Sequence, residues 1–259
     1  MIRTELKRVF KTWIFWGACV IVLFCFVYAA DFEFQYLANI GYLAEGIWQE
    51  KFVELTGLGD GELAGLLCPI LVMLPYALSY RKERDSGYRQ LMVLKSSPGA
   101  YRRAKLLATG VSGAALMCLP YLCWMPVCFM LGTKVMDANG NVIRNLDPVL
   151  LPMFENYPTL YVVLYLINVA LVGAMHALLG LGVSAVVRNK YLAVLFPFGY
   201  CLFSAIVFDR ISRQLAAFWL IALGFGPRWS IGGHIGYLLA LFALGIGLFI
   251  GGDRHAEKA

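Results

Sequence analysis

Uncharged stretches recur along this chain at a length of about twenty residues, the length a helix needs to cross roughly 30 Å of hydrocarbon. They cover about 13–30, 63–80, 106–131, 159–187, 191–208 and 231–250, and none contains Lys, Arg, Asp or Glu. Each predicts a transmembrane helix. A seventh apolar stretch, 215–225, ends at Gly224-Phe225-Gly226-Pro227 and has only about a dozen residues, which is too short to span. It predicts a re-entrant or interfacial helix before the last span.

The polar segments have patterns of their own. Residues 1–12 set Ile2, Leu6, Val9, Phe10 and Trp13 on one helical stripe, with Arg3, Lys7, Arg8 and Lys11 around the rest. That is an amphipathic helix lying in the membrane interface and leading into the first span. In 31–62, Phe34, Leu37, Ile40, Leu43, Ile47 and Trp48 recur at helical spacing among seven acids, before a link rich in glycine (Gly57, Gly59, Gly61). Residues 132–158 carry turn chemistry at 137–140 and prolines at 148, 152 and 158.

Composition supports this reading. Hydrophobic residues make up 60% of the 259 and charged residues 15%, where a soluble domain carries roughly a quarter charged. Six spans put both termini on one side. That side then holds 16 Lys/Arg (four, eight, two and two by segment) against six on the other, while the acids divide five to eleven. Lys and Arg are retained in the cytoplasm during insertion, so the basic side is the cytoplasmic one. The net charge of +6 lies beside the ends of apolar runs, where it orients the protein and meets lipid headgroups rather than nucleic acid.

Within the spans, small residues form two stripes. One is Ala170, Gly173, Ala177, Gly180 and Ser184, and the other is Gly236, Ala240, Ala243, Gly247 and Gly251. Small residues let helices approach closely where lipid supplies no hydrophobic drive, so both predict packing faces. The seven cysteines all fall inside apolar runs and read as small packing residues. His176 lies beside the first stripe, either as a pathway residue or as a neutral histidine bonded between helices. His234 reads as an interfacial residue near the end of the last span.

Catalytic patterns are missing. The sequence has no phosphate loop, no His-Glu-x-x-His, no Gly-x-Ser-x-Gly and no dinucleotide glycine pattern. The absence of acids in the spans argues against an ion-coupled carrier, which needs an intramembrane ion site. Energy for transport would then enter through 81–105, the longest charged segment, with eight Lys/Arg against Glu83 and Asp85. There Tyr88, Leu91 and Met92 fall at i, i+3 and i+4, an apolar patch suited to a partner's groove or to lipid.

The run Glu83-Arg84-Asp85-Ser86-Gly87-Tyr88-Arg89-Gln90-Leu91, then Ser97-Pro98 and the basic run to Lys105, resembles the cytoplasmic loop of ABC-2 type transporter permeases. The stretch from Leu179 to Lys190 leading to Pro197 resembles that family's junction between spans 4 and 5. Tyr88-Arg89-Gln90 departs from the Thr-Leu-Glu type sequence commoner there. The resemblance implies one permease domain over 1–259, an elbow helix at 1–12, and a coupling helix over Glu83 to Pro98 seated in an ATPase cleft. It implies two ATPase subunits carrying ATP and Mg²⁺, a second permease copy or a paralogous permease, and export across the cell membrane. An integral-membrane enzyme acting on lipids and a non-transporting scaffold or sensor subunit are the alternative readings.

Overall fold

The uncharged runs fold as helices, and their ends are set by local chemistry. A computed structural model describes residues 2–40, 44–45, 47–57, 62–77, 79–130, 134–135, 150–187, 189–208, 215–224 and 230–258. The turn expected at 137–140, Pro148, the glycines at 59 and 61 and the pair 226–227 lie outside the described residues. The described helices are α1 (Ile2–Phe10), α2 (Trp13–Ile40), α3 (Trp48–Gly57), α4 (Glu62–Leu71), α5 (Ser79–Asp85), α6 (Tyr88–Lys95), α7 (Pro98–Met130), α8 (Leu151–Asn156), α9 (Pro158–Val186), α10 (Lys190–Phe208) and α11 (Ile231–Lys258). Five helices among the described residues are long and apolar enough to cross a membrane: Trp13–Asp31, Pro98–Met130, Pro158–Val186, Tyr191–Phe208 and Ile231–His255.

The run 63–80 is not one helix. After α4 the backbone turns through 72–77, and α5 opens at Ser79. Pro75 has no N–H to give to the carbonyl four residues back, and its ring disfavours helical geometry in the residue before it. Met73 turns inward at this break and lies where Gly180 of α9 has no side chain. By contrast Pro69, Pro120, Pro126 and Pro197 are all carried inside helices.

Two more boundaries differ from the sequence pattern. The second long helix, α7, starts at Pro98 rather than near 106, so the basic run 98–105 forms its first turns. Ser97 Oγ accepts the Ala100 N–H at 3.2 Å, and Pro98 occupies the first helical position, where its missing N–H costs nothing. The short apolar stretch expected as a helix over 215–225 is a four-residue 3-10 turn, Ala217–Leu220, flanked by bends. Turn bonds within the segment take the Ala216 and Trp219 carbonyls, and α9 satisfies the ones that follow. Asn168 Nδ2 donates to Leu220 O at 2.8 Å and Ile221 O at 3.1 Å, and Tyr161 donates to Leu223 O at 2.7 Å. Irregular backbone survives at membrane depth where protein covers it in this way. The Asn168 amide orientation is fixed by those two acceptors, so its Oδ1 accepts a hydrogen bond from His234 Nε2 at 2.8 Å. His234 is therefore a buried bridge between α11 and α9, in the first turn of the last long helix.

At one end of the bundle a two-residue antiparallel ladder pairs Ala44–Glu45 (β1) with Lys134–Val135 (β2), joining the two connections expected on the outer side. At the opposite end lie α1, α5, α6 and the last turns of α11.

The helix α9 runs through the centre, packed against α7 and α11. The stripe Gly173, Ala177, Gly180, Ser184 is buried as expected. A Cβ on Gly113 of α7 would collide with the Gly173 backbone and with Ala177, so these helices touch main chain to main chain. The second stripe behaves differently. Gly236, Ala240, Ala243, Gly247 and Gly251 face outward, and α11 packs instead through Gly245, which meets α9 backbone at Leu178 and Leu179.

Candidate functional site: a helical hairpin held by two buried carboxylate clusters

The segment singled out for its charge folds as a hairpin. The helix α5 ends at Asp85, Ser86 and Gly87 make the turn, and α6 begins at Tyr88. Gly87 adopts φ 72°, the left-handed geometry that glycine reaches without steric cost. The coupling helix expected over Glu83 to Pro98 is thus two short helices with a glycine corner, followed by the first turn of α7.

The polar side chains of the hairpin point inward more than the pattern suggests. Glu83 is 5% exposed and accepts from Arg8 Nη1 at 2.9 Å, Lys105 Nζ at 2.8 Å and Tyr101 Oη at 2.8 Å. Lys105, itself buried in α7, also donates to Glu5 of α1 at 3.3 Å, to Tyr76 at 3.1 Å and to Ser79 at 3.0 Å. The Tyr76 hydroxyl donates to Glu5 as well. Two carboxylates and two cations from α1, α5 and α7 therefore close one compact cluster. Burial works to lower the Arg8 pKa, but Glu5 and Glu83 outweigh it and hold the guanidinium above its ordinary value.

A second cluster lies beside the first. Asp253 of α11 is 0% exposed and accepts from Arg89 Nε of α6 at 2.7 Å, Arg102 Nε of α7 at 2.6 Å and Tyr80 Oη of α5 at 2.9 Å. Adjacent residues of α7, Tyr101 and Arg102, serve the two clusters, and one turn of α5 separates Tyr80 from Glu83. The hairpin is consequently bolted to α1 on one side and to α11 on the other.

The remaining expected site residues are exposed or structural. Arg84 is exposed, with Nη1 3.4 Å from Ala185 O, and Asp85 is exposed, pairing with Arg81 at 3.0 Å. The Ser86 hydroxyl donates to Glu83 O at 3.3 Å, and Pro98 starts α7. On α6, Tyr88 and Leu91 are exposed, whereas Met92 and Val93 pack onto the core around Tyr80, Tyr101 and Phe249. Leu94 is 83% exposed and completes an outward apolar row, Tyr88, Leu91, Leu94, that spacing alone did not single out. Arg8 also stacks over the Tyr88 ring, with Cζ 5.3 Å from its centroid.

His176 is buried in α9. Its Nδ1–H donates to Val172 O at 3.0 Å, and Nε2 has no partner. No group of three or more His, Cys, Asp or Glu among the described residues is placed to hold a metal ion.

Comparison with protein-family models, with curated proteins and with solved structures gives no match. The class defined by the fold itself is an all-α, membrane-embedded protein.

Proposed function

We propose that the chain is the permease subunit of an ATP-driven ABC-2 type transporter and that α6 is its docking helix. One observation carries the reading. The helix α6 presents Tyr88, Leu91 and Leu94 outward while Arg89 ties its inner side to Asp253, so an apolar row stands on a rigid mount. A short amphipathic helix of this kind suits a groove on a soluble partner. A load applied to it is passed to α7 through Arg102, to α11 through Asp253, and to α1 through the Glu83 cluster.

In this reading 63–80, made by α4 and the turn at 72–77 as far as the start of α5, is a sixth crossing. Both termini then lie with the hairpin on the cytoplasmic side of the cell membrane, as the Lys/Arg distribution requires. Two ATPase subunits supply ATP and Mg²⁺, a second permease completes the path, and the chain itself is not an enzyme. The direction is export. The lipid-enzyme alternative needs a free carboxylate pair, but Glu83 is saturated by three donors and Asp85 is paired with Arg81.

The test uses the exposed face, because a change at Glu83 disturbs the fold as well as the contact. Leu91→Glu with Leu94→Glu is expected to abolish co-purification of a soluble ATPase and its stimulated ATP hydrolysis, with insertion and melting temperature unchanged. Undiminished stimulation by the double variant sinks the assignment of α6.

A further inference from the structure

Beside the Glu83 cluster, a cavity of about 210 Å³ opens where the chain turns from α1 into α2. Its walls are of two kinds. Arg8, Thr12, Ser79, Lys82 and Glu83 supply polar groups, while Ile14, Leu74 and Pro75 supply an apolar side. Ile14 belongs to the first turn of α2 and is half exposed, continuous with the outward residues Ile21 and Phe24 of the same helix. Trp13 is 88% exposed at this corner and Trp16 is half exposed, aromatic rings of the kind that anchor a protein at the membrane boundary. The cavity thus joins a polar wall to the outward apolar side of α2.

Its electrostatics favour an anion. Glu83 lines the cavity, but its carboxylate is taken up by Arg8, Lys105 and Tyr101. Glu5 and Glu83 stand against Arg8, Lys105 and Lys82, two negative charges against three positive. The surplus charge is that of Lys82, which is exposed and enters no ion pair among the described residues. Arg8 meets both acids through Nη1 alone, which leaves Nε and Nη2 without a carboxylate.

We infer that this cavity binds the phosphate of an anionic phospholipid, with Lys82 and Arg8 on the phosphate and the acyl chains leaving past Ile14, Leu74 and Pro75. A free phosphate ion would satisfy the cations equally but would leave the apolar wall without a partner. The inference rests on membrane embedding and not on the permease reading, so either can fail alone.

The test uses the full chain in nanodiscs of phosphatidylcholine, or of four parts phosphatidylcholine to one part phosphatidylglycerol, with the retained lipid counted by native mass spectrometry. Lys82→Gln is expected to lower the preference for phosphatidylglycerol about five-fold, the factor that one basic residue near an anionic surface contributes. Lys82→Arg should restore it, and Lys7→Gln, on the same charged face but outside the cavity, should leave most of it. The melting temperature of Lys82→Gln in phosphatidylcholine alone should match the parent chain. Unchanged preference in Lys82→Gln overturns the site. An equal loss in Lys7→Gln overturns it in favour of diffuse surface charge. Displacement of the lipid by millimolar glycerol 3-phosphate shows a soluble phosphate site instead.

Discussion

The two carboxylate clusters stand side by side on the same hairpin, yet they are built on opposite plans. Around Glu83 two acids, Glu5 and Glu83, face Arg8 and Lys105, and a cavity adjoins them. Around Asp253 a single acid, fully buried, is shared by two arginines. The first has a spare acid and access to solvent, so losing one member leaves the others partners. In the second, one carboxylate with no exposed surface takes hydrogen bonds from Arg89, Arg102 and Tyr80, side chains of three helices. One cluster divides its contacts between two acids, and the other gathers three helices onto one carboxylate, its pivot.

Variants can break this comparison or sharpen it, and the largest effect is expected at the pivot. Asp253→Leu leaves two guanidiniums without the carboxylate they share, a loss on the order of 3–5 kcal/mol for a partner removed from a buried pair. Melting in nanodiscs should fall steeply, with protease cleavage appearing first around 86–87. Glu83→Gln should cost less, about 1.5–3 kcal/mol for lost charged hydrogen bonds, because Glu5 still holds Lys105. Equal melting temperatures for these two variants would refute the distinction. Tyr80→Phe removes one hydroxyl from Asp253 while both arginines stay, and about 1 kcal/mol is expected in the same assay. Leu94→Glu touches neither cluster, and its stability should stay within about 0.5 kcal/mol. A larger drop there would mean that the outward row of α6 supports the fold rather than facing a partner.

Much of the architecture was legible in the sequence, because length and apolarity alone decide which helices suit a membrane. The five long helices fall where the uncharged runs predict them. What the pattern hides is interruption and orientation. Pro75 breaks 63–80 whereas Pro120 does not break α7, and the sequence shows two prolines of equal standing. The small-residue stripes of α9 and α11 share a spacing, but only the neighbouring backbone decides that one is buried and the other outward. The charged segment stands out in the sequence, but its inner chemistry does not. Glu83 looks like a solvated charge within a basic run, because the cation that meets it from α1 is 75 residues away. Asp253 and Arg89, 164 positions apart, offered only a faint hint: an acid directly after the uncharged run 229–252. Asn168 stands as a lone amide within an apolar run, and nothing in the pattern shows that it holds the irregular backbone at 220–221.

The bond between Glu5 and Lys105 has a consequence for how the protein is made. Its two ends are 100 residues apart, and synthesis proceeds at about 5–20 residues per second. The acid of α1 therefore waits roughly 5–20 s for its lysine to emerge from the ribosome. Tyr76 and Glu83 emerge earlier and give Glu5 and Arg8 their first partners, so the lysine closes the cluster last. Translation order thus fastens the first helix in stages, with the final bond made only once the second long helix has begun.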